Sequence, residues 1–395
     1  MLQFFSASTR VVNTKRGVME CLESALGTKY KEAELLIFHA SIGHDFQELV
    51  DQAKELVPTA TVLAASCCGV VGKEGVSESM KDIALMAITG KEFAVTHVPE
   101  ISGKTAFEKA QQMALNLKAQ SEKINMIYFL GSGIDTDNQQ VIDAFELVFG
   151  PDVTLFGATS SDNMKGFINY QAINGTVYEH AAYAVGFFDE TITVDTQATH
   201  GFNAIGEPMI VTKANGHIIH EINHKPAWEE YLHHLGLPEN ATCGESIPIG
   251  AIAEELTPDQ ANEYGNKHIL RVVTKHDGSA IYYPVSCVEG TKIWLCKRDE
   301  ELIFSEMEKM VNKMTERAQG KKPIAVFHAD CLARGRFLFN RVIKEELVSK
   351  MQYPFYENGV CPPWLGMYGF GEFARLNGKN TYHNYTTALY TLYRK

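Results

Sequence analysis

Residues His220-Glu221-Ile222-Asn223-His224 spell H-E-x-x-H. On a helix this pattern sets two imidazoles one turn apart for zinc, with the glutamate activating water. The flanking residues reject that use. Asn215-Gly216 upstream reads as a hairpin turn, and Pro226 lies two residues after His224. On a strand, positions 220 and 224 share a face but stand about 13 Å apart at roughly 3.3 Å per residue. Metal bonds are near 2 Å, so one ion cannot take both. Pro226 reads instead as the first helical position of a segment with Ala227, Tyr231, Leu232 and Leu235 on one stripe. Gly131-Ser132-Gly133 sits between a predicted strand and a predicted helix, but Thr136 stands where a dinucleotide loop needs its third glycine. Neither a G-x-S-x-G elbow nor a phosphate loop ending in G-K-[ST] occurs, so the usual hydrolase and NTPase signatures are missing.

The remaining polar residues gather where predicted strands end. Ser160, Ser161, Asp162 and Asn163 follow one strand, and Asp330 and Arg334 follow another. Gly371-Glu372 and His383-Asn384-Tyr385-Thr386 lie near the C-terminus. In α/β sheets, ligands bind beyond the carboxyl ends of strands, where glycine lets the backbone come close. Ser160, Asp162, Arg334, Gly371, Glu372, His383 and Asn384 therefore form the candidate ligand set. Arg334 and Glu372 are expected to face one cavity or each other; the alternative is a buried ion pair holding the C-terminal hairpin. Neither Ser160 nor Cys331 has a sequence neighbour that marks an activated nucleophile. The eight cysteines show no C-x-x-C spacing and read as reduced thiols.

These residues need a scaffold, and a recurring unit supplies it. Leu35 to Ala40 is an apolar run of strand length. Phe46, Leu49, Val50, Ala53, Leu56 and Val57 form a helical stripe, and Thr61 to Ser66 is a second apolar run. The unit recurs from Met126 to Ala158, with Asp137 as helix N-cap and Gly150-Pro151 as its stop. A third copy runs from Ile324 through a helix near 337–350 to Gly369. Continuous apolar runs predict strands buried on both faces. Asn174-Gly175 and Asn215-Gly216 mark hairpins 168–188 and 209–222, and a third spans 275–279. The sequence predicts an α/β fold of two halves, 1–200 and 201–395, each a mixed sheet covered by helices.

The order of the pieces resembles the FIST family of paired N- and C-terminal sensory domains. Leu63-Ala64-Ala65-Ser66-Cys67-Cys68-Gly69 and Phe156-Gly157-Ala158-Thr159-Ser160-Ser161-Asp162 are similar to the N-terminal signature, with Cys67 standing where a hydroxyl residue is expected. Pro226 to Gly236 is similar to the opening of the C-terminal domain. Cys331-Leu332-Ala333-Arg334-Gly335, Gly366 to Glu372 and His383 to Thr386 are similar to its end. The resemblance implies a sensor that binds a small ligand and signals through a partner. A stand-alone subset with this layout binds haem, senses nitric oxide and regulates histidine kinases or cyclic-di-GMP enzymes. Haem is thus the implied cofactor, and a homodimer is left open. His180 is the first choice for iron, on a predicted strand between small residues; His44, in a loop at a strand end, is the second. The alternatives are a haem-free sensor of amino acids or other metabolites, and a hydrolase-like enzyme.

Composition narrows the classes further. With 36 basic and 48 acidic side chains the net charge is −12, which opposes tracking of nucleic-acid phosphates. Hydrophobic residues make up 45% of the chain, too many for a disordered one. No run approaches the roughly 20 apolar residues of a membrane span, and the first residues do not read as a secretory signal, so a cytoplasmic location is expected.

Overall fold

The computed structural model describes residues 1–163, 165–335 and 340–395. Each of the three predicted units forms the centre of its own sheet. Leu35–Ser41 runs parallel to Thr61–Cys67, Met126–Ser132 to Thr154–Ser160, and Ala325–Cys331 to Trp364–Gly369. Each pair is extended on one side by two antiparallel strands: Ile83–Thr89 with Gln3–Thr9, Ala182–Phe187 with Phe93–Val98, and Thr387–Arg394 with Ile192–Thr199.

On the other side, each sheet is completed by a hairpin borrowed from a different unit. The first unit's hairpin, Val70–Gly72 with Gly75–Ser77, pairs with Trp364–Gly369 of the third. The second unit's, Tyr170–Ile173 with Thr176–Glu179, pairs with Thr61–Cys67 of the first. The third unit's, Gly371–Leu376 with Lys379–His383, pairs with Thr154–Ser160 of the second. The predicted run 176–188 is therefore two strands in two sheets, broken at His180, which has φ of +56°.

The three sheets turn their inner faces to one core that includes Ile37, Leu63, Tyr128, Phe156, Phe327 and Tyr390. Burial on both faces explains the uninterrupted apolar runs. Helix pairs cover the outer faces. Thr14–Leu26 and Phe46–Leu56 cover the first wall, Ala106–Gln120 and Asn138–Phe149 the second, and Glu300–Arg317 and Arg341–Gln352 the third. Asp137 caps the Asn138–Phe149 helix through the Gln139 and Gln140 amides, and Gly150 ends it at φ +89°. The predicted helix near 337–350 runs from Arg341 to Gln352; residues 337–339 lie outside the described ones.

Between Ile192–Thr199 and Glu300–Arg317 the third unit carries an insertion built on a fourth sheet. That sheet contains Phe202–Asn215, Ala251–Glu255, His268–Arg271 and Lys292–Arg298. Within it, His220 lies on strand Ile218–Ile222 and His224 in a left-handed turn, so H-E-x-x-H is not helical. Pro226 is the N-cap of helix Ala227–Leu235 rather than its first residue. No described helix is long and apolar enough to cross a membrane.

Candidate functional site

The sequence...Ala329-Asp330-Cys331-Leu332-Ala333-Arg334 ends a central strand and turns at once into a single 3-10 turn, Leu332–Arg334. That turn folds Arg334 back toward the strand it follows. The side chain is 1% exposed. One terminal nitrogen donates to the His200 carbonyl. Its Nε lies 3.2 Å from Asp330 Oδ1. That contact is an ion pair without hydrogen-bond alignment, since both atoms and Arg334 Nη2 are buried with no hydrogen-bond partner. Asp330 Oδ2 stands 3.5 Å from His328 Nε2, which in turn contacts Thr387 Oγ1 at 2.9 Å.

Glu372 enters from the exchanged hairpin, opposite His383 in the antiparallel ladder. It is fully buried, and neither carboxylate oxygen makes a well-aligned hydrogen bond, with the Thr386 amide close by. Burial pushes its carboxyl well above the usual carboxylate range; the nearby Asp330 adds to the rise, and the Arg334 guanidinium and the Thr386 amide oppose it. His383 is also fully buried. Its Nδ1 lies 3.4 Å from the Tyr264 hydroxyl, and its Nε2 has no partner. Burial, then the charge of Arg271, holds its imidazole down to about 3, so it is neutral near pH 7.

The insertion closes the cluster from outside. Arg271, on strand His268–Arg271, donates to the Tyr382 carbonyl and lies 3.3 Å from Glu254 Oε2, while its Nε is unpartnered. His200 is fully buried, its ring nitrogens engaged by the His268 carbonyl and the Phe202 amide. Burial holds it down to about 3 as well. Buried polar groups in folded proteins are almost always paired, so this concentration of unpaired donors and acceptors calls for a partner. The unpaired guanidinium nitrogens suit a carboxylate or similar anion, and the unpaired carboxylate oxygens suit a donor group.

The other sequence candidates sort by their bonding. Asn384 receives the Val272 amide and donates to the Phe370 carbonyl, so it holds the loop beside the cluster. A Cβ at Gly371 would collide with the Tyr382 hydroxyl, so that position serves close packing. Ser160 donates to the Gly131 carbonyl at 2.9 Å and accepts from Gln171 Nε2 at 2.6 Å. Asp162 accepts the amides of Lys165, Gly166, Phe167 and Ile168, and so shapes its own loop. Arg334, Glu372 and His383 thus meet in one buried cluster, and Ser160 and Asp162 spend their bonding capacity elsewhere. Sequence reasoning missed Arg271, Tyr264 and His200. A charged residue inside Ile269-Leu270-Arg271-Val272-Val273 was the one signal for them.

The two histidines proposed for iron both lie in turns and contact hydroxyl groups. His180 lies in a turn rather than on a strand, half-buried, with Nδ1 3.4 Å from Ser132 Oγ. Tyr385, at the matching place in the third unit, has φ of +53°, so the turn belongs to the repeat. The Asp135 carboxylate lies close to this turn. His44 is buried with Nδ1 3.0 Å from Thr14 Oγ1. A Cβ at neighbouring Gly43 would strike the Met80 carbonyl, so the loop packs tightly on that side. Among the described residues there is no group of three or more His, Cys, Asp or Glu placed to hold a metal ion.

No curated protein matches the chain. Among solved structures, it aligns with PurLQS from Thermotoga maritima at 8% identity and a TM-score of 0.23, covering 100% of this chain and 72% of that one. With T. maritima PurL complexed with FGAR the values are 8%, 0.22, 100% and 73%. Likeness at that level carries no weight for fold or function. Family models are informative: the FIST N domain matches residues 34–225 and the FIST C domain residues 227–375. The junction falls inside the insertion, and the second match contains Arg271, Arg334 and Glu372. The chain belongs to the FIST family, whose domains are small-ligand sensors in signalling.

Proposed function

We infer that the Asp330–Arg334–Glu372–His383 cluster is the sensory ligand site, and that its ligand is a small molecule bearing both an anionic group and a hydrogen-bond donor, such as an amino acid. One observation carries the reading. A buried guanidinium, a buried carboxylic acid and a buried imidazole all present unpaired polar atoms within one cluster. Leaving such groups unpaired costs about 1–3 kcal/mol each, more where charged, and a ligand that pairs them recovers that cost as binding energy. Arg334 and Arg271 would hold the anion, and Glu372 would accept the donor.

The family resemblance alone supports a partner histidine kinase or cyclic-di-GMP enzyme as the receiver of the signal. The test is calorimetric titration of the full chain with the standard L-amino acids. Binding that is lost in Arg334→Ala and weakened at least tenfold in Glu372→Gln supports the site. Binding unchanged in both variants overturns it. A Soret band that shifts with nitric oxide would point to the haem-sensing reading instead.

A further inference from the structure

The cluster is enclosed, so a ligand reaches it only if some element moves. The Pro258–Tyr264 helix is built to be that element. It lies in the connection between strands Ala251–Glu255 and His268–Arg271, and His268–Arg271 is the edge of the fourth sheet. Tyr264 is the helix's one buried residue. The helix closes on itself: Thr257 and Gln260 form a reciprocal cap at its start, and Gly265, at φ +81°, ends it. Apart from Tyr264, whose ring packs at the edge of the central core, what ties it to the rest of the fold is a few long polar contacts. Gln197 Nε2 and Lys313 Nζ reach the Glu263 carbonyl at 3.4 and 3.3 Å, and Asn266 Nδ2 reaches the Phe202 carbonyl at 3.5 Å.

Tyr264 itself faces the cluster. Its hydroxyl stands 3.4 Å from His383 Nδ1 and 3.5 Å from Thr386 Oγ1, at the outer limit of hydrogen bonding. Its ring lies against the rings of His200 and His383, with centroids 5.6 and 5.5 Å apart. The same residue forms part of the wall of a cavity of about 150 Å³ between this helix and helix Glu300–Arg317, lined also by Gln197, Thr199, Glu306 and Lys309. Tyr264 therefore separates a surface cavity from the unpaired groups of the cluster.

We propose that Tyr264 is the gate to the buried cluster, carried on a self-capped helix that lifts as a unit to admit a ligand through the cavity beside Glu306 and Lys309. The ligand's identity rests on the reading above; the gate does not, because its test needs no ligand. Diethyl pyrocarbonate acylates neutral imidazole, and His383 is neutral. Peptide-resolved mass spectrometry of the full chain then reads how often His383 is reached, while hydrogen exchange of the Val326–Asp330 amides reads global opening.

In the native protein, His383 modification should track exchange of the 261–265 amides. Tyr264→Ala should speed it at least tenfold. Thr257→Ala breaks the cap far from the cluster and should speed it by about fivefold, the population change that loss of a helix cap supports. The Val326–Asp330 amides should stay protected in all three proteins. Equal His383 rates in all three, or modification that moves only with the Val326–Asp330 amides, would overturn the gate. For any amino acid that binds, Thr257→Ala should raise association and dissociation rates by the same factor and leave Kd nearly unchanged; unchanged rates would also overturn it. If Arg334→Ala leaves binding intact while Thr257→Ala still exposes His383, the ligand reading fails and the gate stands.

Discussion

Gln171 and Glu372 occupy equivalent positions in two exchanged hairpins. Gln171 pairs with Ala65 and Glu372 with Ala158, each partner lying two residues before the end of its strand. Val70 holds the same place in the first hairpin, opposite Met367. All three are buried, yet they differ in what they ask of their surroundings. Val70 asks nothing. Gln171 is fully used: its Nε2 donates to Ser160 Oγ and Asn169 Oδ1, and its Oε1 takes the Ala181 amide. Glu372 makes no well-aligned hydrogen bond on either oxygen. One scaffold thus makes an apolar corner, a saturated polar corner and an unsaturated one. The third has gained Asp330 and Arg334 from its own strand end, and Arg271 and Tyr264 from the insertion. Saturation identifies structural polarity; its absence identifies the place held for something else.

The sharpest test of that contrast is Arg334→Ala. It strands Asp330 in the interior, and loss of one partner of a buried pair costs about 3–5 kcal/mol. Urea unfolding at pH 7 should show that loss, and a loss under 1 kcal/mol would mean that the cluster is wetter than its burial implies. Acid comes next. His200 and His383 are held down to about 3 and His39 to about 4, each chiefly by burial, against about 6.5 unfolded. The unfolded chain therefore takes up protons first as pH falls below about 6.5, so stability is present above that pH and drains toward the folded values. At pH 5 each should cost about 2 kcal/mol. His383→Asn should flatten the pH dependence of unfolding free energy between pH 6.5 and 4 by about 1.4 kcal/mol per pH unit.

Gln171→Leu should cost about 1–3 kcal/mol, since it leaves the buried Ala181 amide without an acceptor, and it should not alter ligand binding. Glu372→Gln should do the reverse. A carboxyl raised by burial contributes stability below its unfolded value, lost as pH climbs through the folded one. The amide keeps the protonated shape and removes that loss, so the variant should melt higher than the parent at pH 8 and nearly level with it at pH 5. The gain should be smaller than any loss above. Lower melting at pH 8 would mean that Glu372 is held as a carboxylate.

Much of this frame is legible in the chain. The runs at 35–40, 126–131 and 325–329 are strands because they are apolar on both faces, and the stripe from Phe46 to Ala53 is a helix because its spacing is helical. What the residues do not display is partnership. Tyr170–Ile173 looks like any hairpin strand, and nothing local says that it joins Thr61–Cys67 rather than its own unit. The break at His180 is equally silent, because a left-handed turn at a histidine has no spacing pattern to announce it. In the candidate set, Arg334 and Glu372 stand out as charges beside glycine and apolar runs. Tyr264 and Arg271 come from the insertion, and only the folded chain brings them to the same place.

The exchanged hairpins also govern how the protein comes off the ribosome. Val70–Gly72 emerges early, and the strand that receives it, Trp364–Gly369, is among the last to be made. Likewise Thr154–Ser160 waits for Gly371–Leu376. Until then, one hairpin and one sheet keep raw edges, and an unpaired edge is an invitation to other chains. Contacts this distant in sequence form slowly. A nascent chain stalled after residue 225 should be sticky, bind holdase chaperones and resist any attempt to express it as a free-standing unit, even though a family model ends there.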